Sequence, residues 1–597
     1  MVSMSLLKPG GCNQKAYDTM KLLVGLTSLA LLAAAQTLLA AGTWVPLTHL
    51  APGSAGHILL LSDGTVMALA NPNSYGPGWY RLTPDSSGSY VNGTWSSIAP
   101  MHYTRLDFVS IVMRDGRVLV AGGEYGTGAA NAEVYDPAAN TWTVVPVPTA
   151  LLNPSAASPE VGENQGFYDS IAKITASGKV LIAPDGGNAY GATLLFDPAA
   201  NTWAAGPQTI RKAYPDQAEA SWVKLPDDSI LTVDGGQTTA ERYLPASNTW
   251  VSDANAPVAL FDPYGIEEGP ALLLPNGKAI FFGGTGHTAI YTPSGSASAG
   301  TWVTGPDFPN SQGMPDAPAA MLVNGKVLCA TCRAPYQLGG TNYIFNSPTS
   351  FYEYDYVSNA FTQVGAPGGG NTLAYVVYPC FMLELPNGTI LFSWSQRSFY
   401  VYQPDGTPLA AGKPTIRSVT SNADGSLHLT GTLFNGLCEG AAYGDDSQMD
   451  SNFPLVRFTA SGGTVRYGRT YNWSSTGVMT GSAVVSTECT VPAGASLADS
   501  IQVVANGIAS DAVSLASTNP PILNGPAFMG GAGFGFFFTN TPGASFTVFA
   551  SSNVSLAANT WSNIGAAVEN PAGSGHFQFT DPRSNSNAVR FYRVRSP

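Results

Sequence analysis

Asp136-Pro-Ala-Ala-Asn-Thr-Trp142 returns word for word as Asp197-Pro-Ala-Ala-Asn-Thr-Trp203. Looser copies of the Thr-Trp ending surround both. The aromatic positions are Trp44, Trp95, Trp142, Trp203, Trp250, Trp302 and Phe361, spaced 47 to 61 residues apart. Between neighbouring copies lie an apolar run, an Asx-Gly turn or its equivalent, and a second apolar run. That second run ends in paired glycines at Gly122-Gly123, Gly186-Gly187, Gly235-Gly236 and Gly283-Gly284. A period of about 50 residues with one tryptophan per unit marks propeller blades, each a four-stranded antiparallel sheet.

The turns fall at Asp63-Gly64, Asp115-Gly116, Ser177-Gly178, Asp227-Asp228, Asn276-Gly277, Asn324-Gly325 and Asn387-Gly388, so seven hairpins accompany seven aromatic strands. The first aromatic strand, Thr43 to Pro46, precedes every hairpin, and the last unit, ending near Tyr402, lacks one. The first strand is therefore expected to complete the last blade and close the ring, which removes free sheet edges. These repeats resemble kelch repeats, and their order is similar to the seven-bladed central domain of the galactose oxidase family.

The expected fold is all-β. A seven-bladed kelch-type propeller spans 42–410, an immunoglobulin-like β-sandwich spans 411–518, and a small β-sandwich spans 519–597. The second range alternates apolar and polar residues without the tryptophan spacing. The third follows Asn519-Pro-Pro-Ile522 and is rich in Gly and Phe. Its Asn559-Thr-Trp561 is not read as a blade, because a lone blade could not bury its faces.

Of the 597 residues, 11% are charged and 44% are hydrophobic, with 66 Gly and 44 Pro. That composition describes short buried strands joined by tight turns. Lys8, Lys15 and Lys21 lead into an apolar run over 22–39 that ends at Ala40-Ala41. Residues 1–41 therefore read as a secretory signal, and the mature chain is expected to be secreted, with no membrane span. These residues carry three lysines and one aspartate, so their removal takes the net charge from −13 to −15. An acidic exported chain is a poor partner for nucleic acid or anionic membrane. In an oxidising compartment Cys329 is expected to pair with Cys332, and Cys438 with Cys489, leaving Cys380 over. Zinc is disfavoured at the first couple, because no second Cys or His couple stands at ligand spacing.

Chemistry in a propeller is sought where the innermost strands line the channel. Nine residues before each turn position stand Ala55, Asp107, Asp169, Glu219, Glu268, Asp316 and Pro379, so five consecutive blades place a carboxylate at one register. In galactose oxidase-like enzymes the same offset carries copper ligands, namely a Cys-crosslinked Tyr and a Tyr-His pair, with a further His from the following domain. Carried over by position, the Tyr-His pair falls on Pro315-Asp316 and the crosslinked Tyr on an acid such as Asp107. The third ligand falls in the loop Gly444 to Leu455, which contains no His. Copper is therefore disfavoured. Oxygen replaces it: the five acids with Asp445, Asp446 and Gln448 suit calcium, magnesium or manganese. The alternative is a water-filled channel whose acids pair with Arg105, Arg211 or Lys212. Trp79, Tyr80, Tyr125 and Tyr190 are candidates for stacking on sugar rings.

The leading reading is a secreted binding protein that presents a propeller face to an extracellular glycan or surface polymer, with a divalent cation organising the channel. The rival reading is a metal-assisted carbohydrate-active enzyme using the same acids. A copper radical oxidase stands third.

Overall fold

The computed structural model describes residues 42–596, except 72–75, 125–126, 129–130, 152–167, 186–190, 213–216, 440–451, 497–498, 515–520, 529–532, 541, 543, 573 and 584–588. Seven antiparallel sheets of the described residues form the propeller blades. Blade 1 runs from Ala55–Leu60 to Thr94–Ile98, and blade 2 from Val109–Val112 to Thr141–Val144. Blade 3 runs from Tyr168–Ile174 to Thr202–Ala205, and blade 4 from Val223–Lys224 to Thr249–Asp253. Blade 5 runs from Glu268–Leu273 to Thr301–Thr304, and blade 6 from Gln312–Gly313 to Ala360–Val364. Blade 7 holds Phe381–Glu384, Ile390–Ser393 and Tyr400–Gln403, and its outer strand is Thr43–Pro46, paired Trp44 to Tyr402. The ring thus closes as expected. The short strand Thr372–Leu373 pairs with Thr349–Ser350 of blade 6.

The repeated heptapeptide has a job for each of its chemically distinctive residues. Asp136 and Asp197 accept the backbone N–H groups of Ala138 and Ala199 at 2.8 and 3.0 Å, which folds the turn. The motif asparagines Asn140, Asn201, Asn248 and Asn359 sit at φ of 52–53°, the left-handed region that asparagine tolerates better than most side chains. Asn140, Asn248 and Asn359 also accept the hydroxyls of Tyr135, Tyr243 and Tyr354 from the adjacent strand. The tryptophan then staples its blade to the preceding one. Trp95, Trp142, Trp203 and Trp302 donate Nε1–H to carbonyls of His49, Ala99, Val145 and Ala254, just past the tryptophan of the preceding blade. Trp44 donates likewise to Gly365 of blade 6 at 2.6 Å, across 321 residues of sequence. Its ring also packs against Phe351, Phe392 and Tyr402.

Beyond the propeller, Thr415–Ser421, Leu427–Thr432, Val485–Cys489 and Thr470–Tyr471 form one sheet. Leu455–Thr459, Val465–Gly468 and Ser500–Ala505 anchor the facing one. Val419, Leu429, Phe458, Ile501 and Val503 fill the space between them. The last two sheets enclose Phe536, Phe538, Phe546, Val548 and Phe577. Trp561 there donates to Leu556, only five residues away, so its Asn-Thr-Trp is no blade. Among the described residues no helix is long and apolar enough to cross a membrane.

Candidate functional site: the two mouths of the channel

Each inner strand runs from its ring position to its hairpin turn, so the channel has a strand-start mouth and a hairpin mouth. Six strand residues such as Glu268–Leu273 separate them by about 20 Å. The first sandwich covers the hairpin mouth. Val465 and Thr470 donate backbone N–H groups to Ser86 and Ser62 of blade 1, and Trp473 to Arg114 of blade 2. Thr476 Oγ1 donates to Thr175 of blade 3, and Lys224 Nζ of blade 4 donates back to Thr476. The turn glycines Gly64 and Gly116 sit at φ of 74° and 80°, and an added Cβ would strike Tyr467 and the Thr470 carbonyl. Their backbone shape and the sandwich contact both require glycine.

A buried charge cluster locks this mouth. Glu439, which follows the sandwich strand Leu427–Thr432, is 1% exposed and pairs with Lys173 Nζ of blade 3 at 2.8 Å. Its other oxygen accepts the backbone N–H of Lys224 at 2.5 Å. On the blade 7 side, Asn506 Nδ2 donates to buried Glu384 at 3.3 Å. Asn506 Oδ1 in turn accepts the N–H groups of Leu437 and Cys438. Burial pushes the Glu384 carboxyl up to about 8, a rise that the Asn506 hydrogen bond partly offsets.

The strand-start mouth holds the ring acids. Asp107, Glu219 and Asp316 sit at φ of 45°, 55° and 49°, a conformation uncommon for non-glycine residues. Glu268 opens its strand, fully buried; Oε2 accepts the Ser221 N–H at 3.1 Å while Oε1 has no partner. Burial drives its pKa well above the usual carboxylate range, a rise the Ser221 N–H only partly opposes. The Asp316 N–H reaches the Glu268 carbonyl at 2.9 Å, so blades 5 and 6 meet at these residues. Among the described residues no group of three or more His, Cys, Asp or Glu side chains stands close enough to hold a metal. The Asp169 side chain and the residues Asp445, Asp446 and Gln448 lie outside the described set. Two of the three basic partners considered for these acids have other engagements. Arg105 is buried on Glu133 at 3.2 Å and bonds Gly122 and Asn131. Lys212 holds Gln208.

The copper ligands implied by the resemblance are not matched by the residues here. His57 lies in blade 1, stacked on Phe108 at 4.4 Å and bonded to Ser110 Oγ, and its burial lowers its pKa to about 3. His102, His287 and His428 each pair with a local carboxylate, Glu133, Asp307 and Glu488. His49 contacts the Gly93 carbonyl, and His576 is exposed near the C-terminus.

The cysteine expectations fail for a simple reason. All five described cysteines are free. Cys329 and Cys332 share the extended strand Val327–Arg333, where residues three apart face opposite sides. Cys438 lies beside Glu384 at the propeller junction, whereas Cys489 is in the sandwich core. Of the sugar-stacking candidates, Trp79 is 1% exposed and packs on Trp142, which removes it, and Tyr80 is half-buried. Tyr125 and Tyr190 lie outside the described residues.

Two features escaped the sequence reading. Glu133, Thr193, Glu241, Thr288 and Thr349 stand within a residue of the start of the third strand in blades 2 to 6. Each clamps a segment beside its blade. Glu133 and Glu241 accept N–H groups of His102 and of Ile210 and Arg211, and the three threonines donate to the carbonyls of Pro207, Pro306 and Tyr375. Their separation from the following Trp or Phe runs from 9 to 14 residues, so no fixed spacing announces them. The other is an added hairpin in blade 6, Tyr336–Leu338 with Thr341–Tyr343. Its signal was the long gap of 59 residues from Trp302 to Phe361.

Residues 107–146, essentially blade 2, match the family model of the kelch motif. No curated protein sequence matches the chain. Among solved structures, a fungal alcohol oxidase of the AA5 family in complex with copper is similar at 14% identity and a TM-score of 0.46, over 79% of this chain and 98% of that one. Virginiamycin B lyase from Staphylococcus aureus, with quinupristin, is similar at 10% identity and a TM-score of 0.39, over 61% and 99%. A protein named YjhT is similar at 15% identity and a TM-score of 0.35, over 53% and 99%.

Proposed function

We propose that this kelch-repeat propeller is an exported binding protein that engages an extracellular glycan or surface polymer at its strand-start mouth. The observation that carries this reading is the contrast between the mouths. The hairpin mouth is closed by the sandwich, which pairs Glu439 with Lys173 and the Lys224 N–H, while Glu384 there is held by Asn506 and keeps one oxygen without a partner. At the other mouth Asp107, Glu219 and Asp316 are held in left-handed backbone, and such conformations concentrate where a structure binds or reacts. Glu268 stands in the same register with an unpartnered buried oxygen. A hydroxyl-rich ligand suits these carboxylates as hydrogen-bond acceptors. A calcium, magnesium or manganese ion is the cofactor that an all-oxygen donor set would take, with Asp169, Asp445 and Asp446 as further donors.

Calorimetric titration of the full chain with soluble polysaccharides, with and without calcium or manganese, tests the reading. Binding by the native chain that Asp107→Asn with Asp316→Asn abolishes is the expected result. A raised melting temperature with calcium, lost in Glu268→Gln, is expected for the cation. Release of new reducing ends would move the protein to the enzyme reading, and binding to none of the polysaccharides would overturn the proposal.

A further inference from the structure

The added hairpin of blade 6 carries a ladder of flat side chains. The Arg333 guanidinium lies 3.8 Å from the Tyr336 ring centre. Tyr336 stacks on Tyr343 at 5.0 Å with 7° between the rings. One face of Tyr343 is thereby covered, and the residue remains 39% exposed. Arg333 ends the second strand of its blade, so the hairpin rises from the strand-start mouth. It leans on the segment entering blade 5: Asn342 Nδ2 donates to the Tyr264 carbonyl at 3.5 Å, and Ile344 lies against Gly265. Buried Asp262 holds that segment through the N–H groups of Tyr264, Gly265 and Glu267. On the other side Phe345 contacts Tyr378 at 5.0 Å, and Tyr378 precedes the ring position of blade 7. Tyr264, Tyr343 and Tyr378, at 36%, 39% and 44% exposure, therefore border the same mouth from three successive blades.

From this arrangement we infer that the blade 6 hairpin and its flanking tyrosines form a stacking platform for a neutral oligosaccharide chain. The inference rests on the glycan reading of this mouth and gives it a location and a ligand class. An aromatic face meets the apolar face of a sugar ring, and the amides of Gln337 and Asn342 beside it serve the ring hydroxyls. The tyrosines are fixed before binding by stacking and by the Asp262 turn, so little side-chain freedom is lost on contact. The chain's acidic balance and the ring carboxylates oppose an anionic polymer. Leu338 beside the Gly339-Gly340 tip is 66% exposed, but it is a single aliphatic side chain among amides and tyrosines rather than the continuous apolar centre of a protein interface.

Affinity electrophoresis in gels of galactomannan, xyloglucan or soluble β-glucan, with alginate as the acidic control, tests the platform. The native chain should be retarded in at least one neutral gel. Tyr343→Ala should weaken that retardation about fivefold, the worth of one aromatic contact. Tyr343→Phe should keep it, and Val357→Ala, on the far side of blade 6, should not change it. Melting temperatures of all variants establish that they are folded. Retardation unchanged in the double variant Tyr343→Ala with Tyr264→Ala would overturn the platform while leaving the glycan reading intact, and would make the hairpin a candidate protein contact. Retardation in alginate alone would overturn the ligand class. Retardation in no gel would overturn both readings together.

Discussion

The two mouths of one channel surround similar buried acids differently. At the hairpin mouth Glu439 is buried, but Lys173 and the Lys224 N–H group surround it. At the strand-start mouth Glu268 is buried just as fully with a single N–H contact and a raised pKa. Burying a charge is costly unless it is paired and hydrogen-bonded. The first mouth is therefore built for attachment between sandwich and propeller. At the second, Glu268 retains an unmet hydrogen-bonding capacity, as one oxygen of Glu384 does at the first. Identical side-chain chemistry thus meets different surroundings, according to whether the fold supplies its partners.

The comparison depends first on a closed ring. Trp44→Ala removes the indole that ties blade 7 to blade 6 and should cost about 3–5 kcal/mol, read from chemical denaturation. Deleting residues 42–48 should cost more, because two sheet edges are then exposed. A deletion variant melting like the native chain would break the closed-ring topology.

Attachment at the hairpin mouth is tested by Glu439→Ala, which strands a buried lysine and should destabilise by about 3–5 kcal/mol. The double variant Glu439→Leu with Lys173→Met should recover most of that loss. If both variants were equally damaging, packing rather than charge would hold the mouth.

A smaller effect separates buried acids by pH. The folded pKa of Glu384, about 8, lies above its ordinary value of 4.5. Its contribution is complete below pH 4.5 and is lost as pH rises toward 8. The loss should approach about 1.4 kcal/mol per pH unit between those limits. Glu384→Gln should flatten that slope in denaturation measured from pH 5 to 8; an unchanged slope would place the titration elsewhere. Glu241, raised to about 7 by burial and then by Asp234, has the same sign over a narrower window.

The smallest effect concerns the repeat itself. Asn248→Ala should cost about 1 kcal/mol through left-handed backbone and a lost Tyr243 contact, whereas Asn248→Gly should recover the backbone part. Equal melting temperatures for the two would show that the hydrogen bond dominates.

Blade number, strand order and ring closure were legible in the amino-acid sequence, because each blade repeats local rules. An Asx-Gly turn, alternating strands and a tryptophan act within one unit or between neighbours, and period alone reveals them. The shared offset of the ring acids from their turns could be read from the sequence too. Their environments could not. Glu268 and Glu439 look alike in sequence, and only the packing of Ser221, Lys173 and Lys224 around them separates a strained acid from a satisfied one. The cysteines teach the same lesson: the Cys329-Ala-Thr-Cys332 spacing suggested a bridge, but an extended strand turns the two thiols apart. The blade 6 hairpin appeared in sequence merely as excess length. Stacking of Arg333, Tyr336 and Tyr343 depends on strand pairing that brings residues seven apart face to face, and tertiary structure alone decided it.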